Sequence, residues 1–207
     1  MIKSRIVSSI KNRLGSRDDT DLDDMIDIEL DLAQMQLEQD KTLPWFLWAE
    51  MNLHTKTNSQ EISLPCDFIT FGDEDGGVWY NDEKCDWRTR VDLETWFEGQ
   101  TGSPSHVHVT AEKAYVYPIP DGVYRLVLRG FFADKAPSEV DTDAENLWMK
   151  FAPDALIAKT GAVVARYVKD AQAVAEFAAD LVRAEARLLT ITTMKAEEGR
   201  DRFMRGE

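Results

Sequence analysis

The chain has 207 residues, 43% of them hydrophobic and 30% charged, an ordinary globular balance with material for one core or for a core plus an insertion. Its formal net charge of −14 excludes bulk attraction to nucleic-acid phosphate, because that affinity comes from neutralising phosphates with Lys and Arg. No run reaches the roughly 18 apolar residues of a membrane span, and Met1 to Leu14 lacks the apolar block of a signal peptide; Cys66 and Cys85 have no CxxC spacing and are expected to be reduced thiols in a chain made in the cytosol.

Ile2, Ile6, Ile10 and Leu14 recur at four-residue spacing with Val7 beside them, which predicts a short amphipathic helix over 2–14 ended by Gly15. This stretch is basic (Lys3, Arg5, Lys11, Arg13, Arg17), and Asp18, Asp19, Asp21, Asp23, Asp24, Asp27, Glu29 and Asp31 follow at once. Thr20 with Asp23 has the look of a capping pair, and Leu22, Met25, Ile26, Ile28, Leu32, Met35 and Leu37 form one wide apolar stripe, so a second helix is expected over about 20–39. Its early acids favour the positive end of the helix dipole.

Pro44 with Trp45, Phe46 and Trp48 ends that helix and opens a β-rich texture. Strands are expected at Gln60–Leu64 and Val78–Tyr80 around a turn at Asp73–Gly77, a helical turn at Asp92–Phe97, and a loop at Gly99–Pro104. His106–Thr110, Lys113–Tyr117 and Tyr124–Phe132 read as a small antiparallel meander with Pro118–Gly122 as a hairpin connection. Helix returns at Thr142, where Thr142 and Glu145 have capping-box spacing, and Pro153 opens the next helix. There Ala158, Gly161, Ala162 and Ala165 keep one face thin enough for a neighbour to approach. A last helix from Ala171 carries Val174, Phe177, Leu181, Val182, Leu188 and Ile191 and is expected to give way to a charged tail from Lys195. The fold class is therefore α+β, mainly α: a helical bundle built from 1–43 and 142–194, with a small antiparallel β insertion at 44–141 and a tail at 195–207.

The chemistry-bearing patterns are weak. Asp19, Asp21 and Asp23 alternate as in a calcium loop, but Asp24 and Leu30 stand where that loop needs Gly and a bidentate acid, so a solvated helix face is the better reading. Asp73–Gly77 lacks a distal acid and reads as a turn. His106 and His108 share a strand face with no completing ligand spacing. There is no glycine-rich phosphate loop, no GxSxG and no HExxH, so neither an enzyme nor a bound metal or cofactor is expected. Of the tryptophans Trp45, Trp48, Trp79, Trp87, Trp96 and Trp148, most are expected in core and hairpin packing, with subunit contacts as the other use of such anchors.

One order of segments has a known counterpart. The run Leu64, Pro65, Cys66, Asp67, Phe68 is followed by Ala114, Tyr115, Val116, Tyr117, Pro118, Ile119, Pro120, Asp121, Gly122 and by Tyr124 to Arg129. Then come Asn146, Leu147, the helix opening Pro153, Asp154, Ala155, Leu156 and its close at Tyr167, Val168, Lys169, Asp170. Over Gln60 to Ala186 this resembles the head-to-tail adaptor, or tail accessory factor, family of short-tailed phages, related to the wider head-tail connectors. The resemblance implies a non-enzymatic virion protein of the head-tail neck, present in the host cytoplasm during assembly. It implies a homo-oligomer, a dodecameric ring beneath the portal protein, with a tail or nozzle protein on its other side. DNA would pass through the channel without specific binding, and no membrane is involved. Arg200, Arg202, Phe203 and Arg205 become portal-docking candidates, and Asp18, Asp19, Asp21, Asp23 and Asp24 channel-lining candidates. The alternatives are another neck or tail-completion ring and, more distantly, a cell-wall hydrolase.

Overall fold

A computed structural model describes residues 1–15, 20–39, 42–72, 75–141 and 144–204, with the side chains of Thr20 and 197–204 outside that description. In chain order the elements are α1 (Lys3–Arg13), α2 (Thr20–Glu38), β1 (Trp48–His54), β2 (Glu61–Ser63), β3 (Phe68–Thr70), β4 (Gly77–Tyr80), β5 (Glu83–Lys84), β6 (Asp86–Trp87), α3 (Arg90–Trp96), β7 (Thr101–Gly102), β8 (His106–Val109), β9 (Lys113–Tyr117), β10 (Ile119–Pro120), β11 (Arg125–Phe132), α4 (Leu147–Phe151), α5 (Pro153–Tyr167) and α6 (Ala171–Met204). They form two units, one from Met1–Leu47 with Asp134–Glu207 and one from Trp48–Ala133.

In the helical unit α5 is the hub. Pro153 sits in its first turn, where a missing N–H costs nothing, and Ala155, Leu156, Ile157, Ala158, Ala162, Val164 and Ala165 are buried. α1, α2, α4 and α6 all pack against it. Its small residues bring α6 very close: a Cβ added to Gly161 would lie 2.4 Å from the ring of Phe177. That ring is fully buried and is covered by the Arg13 guanidinium, 3.9 Å from its centroid. α1 contributes Ile6 and Ile10, and α2 contributes Leu22, Ile26, Leu30, Ala33 and Leu37. Burying each such large side chain is worth roughly 1.5–3 kcal/mol.

The same unit encloses a polar node. Asn146 caps α4 by accepting from the Met149 N–H at 2.7 Å, and its amide donates to Gln34 at 2.7 Å and to the Lys135 carbonyl at 2.8 Å. Glu38 accepts from the Trp148 indole N–H at 2.7 Å and from Gln34 at 3.0 Å. Burial pushes the Glu38 carboxyl above its ordinary range, against the lowering effect of these donors.

In the other unit two sheets face one another across one core. The first is antiparallel, with order β1-β11-β4-β5 and β3 also on β11; the second has order β2-β9-β8-β6. Leu53, Val78, Leu126, Leu128 and Phe132 of the first meet Ile62, Val107, Ala114 and Val116 of the second. Strict alternation along β11 directs Leu126, Leu128 and Phe132 inward, and Arg125, Val127, Arg129 and Phe131 to the other face. α3 lies over the outer face of the second sheet, with Leu93 buried and Phe97 beside His106 and Tyr117.

These observations correct the expected fold class. The described residues hold eleven strands in sheets of five, four and two, so the chain is not a mainly helical bundle with a small β insertion. β1 pairs with β11 over seven positions, a strand the aromatic cluster concealed. The expected meander is also replaced. β9 pairs with β2 and β8, whereas β11 lies in the other sheet, because the apolar faces of both strands are buried by bringing two sheets together. Thr142 lies outside the described residues; α4 begins at Leu147, capped by Asn146, and α6 continues to Met204, past the point where a tail was expected.

Candidate interaction surfaces

The acid-rich stretch after α1 is held by the bases that precede it. Lys3 reaches Asp27 at 2.8 Å and Lys11 reaches Asp23 at 2.9 Å, so two of the acids are neutralised within the unit. Asp21 and Asp24 are exposed on the first turns of α2. Asp18 and Asp19 lie outside the described residues. Of the channel-lining candidates, then, Asp21, Asp23 and Asp24 are brought onto one helix, with Asp23 paired and half-buried. At the other end, Arg200, Arg202 and Phe203 belong to the last turns of α6 with their side chains outside the description, and Arg205 lies beyond it.

α2 also shows what the single wide stripe had merged. Ile28, Leu32 and Met35 stand 62, 37 and 49% exposed, away from the buried set. Along α6 the outward positions include Val182, Leu189 and Met194, all exposed, and a shallow groove beside it is lined by Arg13, Asp154, Ile157, Asp180, Arg183 and Arg187. Arg13 and Arg183 both hold Asp180, at 2.7 and 2.8 Å. The spacing of Ile28, Leu32 and Met35 was a legible signal for an outward face. Only the packing of Leu30 and Ala33 says which stripe is which.

The sandwich unit carries arginine and aromatic side chains on both outer faces. On the first sheet Arg129 bridges Glu50 at 2.9 Å and lies 4.4 Å from the Trp79 ring centroid, beside the Trp48–Phe131 pair. On the second, Arg90 lies 4.3 Å from the Tyr115 ring, and Trp87 and Trp96 are 60 and 54% exposed. The six tryptophans thus divide: Trp148 is fully buried, Trp45, Trp48 and Trp79 are half-buried, and these two are open.

Chemistry is sparse. Ser105 Oγ lies 2.9 Å from His106 Nδ1, and His106 Nε2 lies 3.8 Å from Asp86. That last distance is longer than a hydrogen bond, and Asp86 is 71% exposed, so the trio forms no linked relay. His108 Nδ1 is engaged with the Arg88 carbonyl at 3.0 Å. Among the described residues no group of three or more His, Cys, Asp or Glu side chains is placed to hold a metal, and no helix is long and apolar enough to cross a membrane. Cys66 is exposed, whereas burial pushes the Cys85 thiol up to about 11.

Compared with models of protein families, the chain matches the SU10 adaptor protein over residues 3–205. No curated protein matches it.

Proposed function

The chain belongs to the SU10 adaptor family of phage head-to-tail adaptor proteins, and from that premise we propose that copies of it form a ring, a dodecamer, beneath the portal. The ring continues the DNA channel and offers the tail or nozzle protein its attachment platform. As a phage adaptor it is a structural protein of the virion that associates with other head and tail proteins. The observation that carries the reading is the span of the match, residues 3–205, which takes in both the helical unit and the sandwich unit.

Charge supports the channel part. A subunit of net −14 repels phosphate at short range, while salt screens attraction or repulsion beyond about 8–10 Å. Such a wall lets packaged DNA pass without gripping it. Asp18, Asp19, Asp21, Asp23 and Asp24 are proposed for that wall, with exposed Asp24 contributing more than Asp23, which Lys11 offsets. Mutual repulsion of acidic copies makes the portal the template, so the free protein is a monomer in dilute solution. Arg200, Arg202, Phe203 and Arg205 are proposed to seat on the portal.

The test is a phage in which this chain is not made. The expected particles have DNA-filled heads that lack tails, restored by supplying the chain in trans, and a chain ending at Met194 fails to restore them while still unfolding cooperatively with heat. Tailed, infectious particles in its absence would overturn the reading.

A further inference from the structure

α2 and α6 each leave an outward stripe with helix-pairing periodicity. On α2, Met25, Ile28, Leu32 and Met35 follow steps of three, four and three residues, and the last three are exposed. On α6, Ala175, Ala179, Val182, Ala186, Leu189 and Thr193 alternate steps of four and three, and all are exposed. Such alternation keeps one seam facing a partner helix along its length. The α2 side chains are large and most of the α6 ones small, so the two seams are complementary in volume.

Charge decides which seam meets which. The positions flanking the α2 seam are Asp24, Glu29 and Asp31, so α2 against α2 of a second copy would set acid on acid. Along α6 the charges are mixed: Glu176 and Glu185 are accompanied by Arg183 and Arg187, 75 and 74% exposed and within 2.8 Å of Asp180 and 3.6 Å of Asp154, so an acidic seam meets less repulsion there than on a second α2. α5 packs against both α2 and α6, so a single copy offers one seam of each kind.

We propose that the α2 seam of one copy packs on the α6 seam of the next, with Glu29 or Asp31 facing Arg183 and Arg187. Because the contact joins two different surfaces, it is head-to-tail and propagates around a closed ring. The inference rests on the ring reading above and names the contact that builds it.

The test uses the full chain co-expressed with the portal protein, in a Cys66→Ser background that leaves only buried Cys85. Leu32→Cys and Val182→Cys are made singly and together and treated with a short bifunctional maleimide, while mass photometry records assembly. The expected result is no cross-link in either single variant, a dimer when the two are mixed, and a ladder in the double variant. Dimers from either single variant would show a like-with-like contact and overturn the proposal. Assembly without a ladder overturns it while leaving the ring intact, and absence of any assembly overturns both.

Discussion

Replacing Gly161 by Ala tests the packing on which the helical unit turns. The added methyl would stand 2.4, 2.6 and 2.6 Å from three ring carbons of Phe177, where carbon atoms settle at about 3.5–4.0 Å, so the ring must retreat by more than about 1 Å. It has little room. Phe177 is fully buried, and the Arg13 guanidinium over its face is itself held by Asp180 at 2.7 Å. Overpacking of this kind costs about 1–3 kcal/mol, and a pinned aromatic ring belongs at the upper end. Ala returns about 1 kcal/mol of helix propensity, leaving a net loss of about 2 kcal/mol and a fall of about 4–8 °C in Tm. Thermal and urea unfolding followed by far-ultraviolet circular dichroism in the helical band measures it. Phe177→Leu and the double variant complete a cycle in which the two changes partly cancel, with a coupling of at least about 1 kcal/mol. A Gly161→Ala protein as stable as the parent, or strictly additive changes, would refute the reasoning.

Three further outcomes follow from the polar node and the thiols. The Glu38 carboxyl is raised in the folded state, so its contribution to stability is fully present below the ordinary carboxyl range and is lost as pH rises through its folded value. Glu38→Gln keeps an acceptor for Trp148 and is expected to raise Tm at neutral pH, the two proteins converging in acid; a lower Tm for the variant at neutral pH would contradict this. Asn146→Ala removes a cap worth about 1 kcal/mol and leaves the buried Gln34 oxygen unmet, a loss of roughly 2–3 kcal/mol in all by denaturant titration. An aromatic disulfide reagent at mildly alkaline pH is expected to titrate Cys66 promptly, and Cys85, with its thiol pushed up to about 11, only after denaturation.

The elements that were legible in the sequence are those whose signal is local. Ile6 and Ile10 repeat at helical spacing, Pro153 fixes a first turn, and Lys113–Tyr117 alternates as a half-buried strand does. β1 was hidden because its pairing partner is Arg125–Phe132, more than half the sandwich away in sequence, and Glu50 and Asn52 interrupt its apolar run. β5, β6, β7 and β10 are two residues each and exist only by their neighbours. The polar node was unreadable for the same reason: Asn146 and Gln34 are 112 positions apart, and neither residue type announces a buried partner. On α2 the apolar residues run most of the way round the helix, so periodicity gave a stripe without saying which part faces inward. Leu30 and Ala33 settle that by packing, which turns Ile28, Leu32 and Met35 outward.

Charge shows the same division between composition and arrangement. A basic helix followed at once by an acidic one looks in sequence like two opposed patches, and would steer opposite partners. Folding lays one against the other: Lys3 meets Asp27 and Lys11 meets Asp23 through side chains still 20 to 48% exposed. Pairs that open to solvent add at most about 1 kcal/mol each, so their main consequence is to the field rather than to stability. Lys3, Lys11 and Arg13 of α1 are paired inside the unit while Arg5 is exposed, and α2 presents Asp24 with the other exposed acids of its face. On the proposed channel reading, a chain with a basic beginning thus keeps an acidic α2 face that does not grip a polyanion, and on the proposed ring contact the apolar seam beside those acids favours the mixed charges of α6 over a second α2.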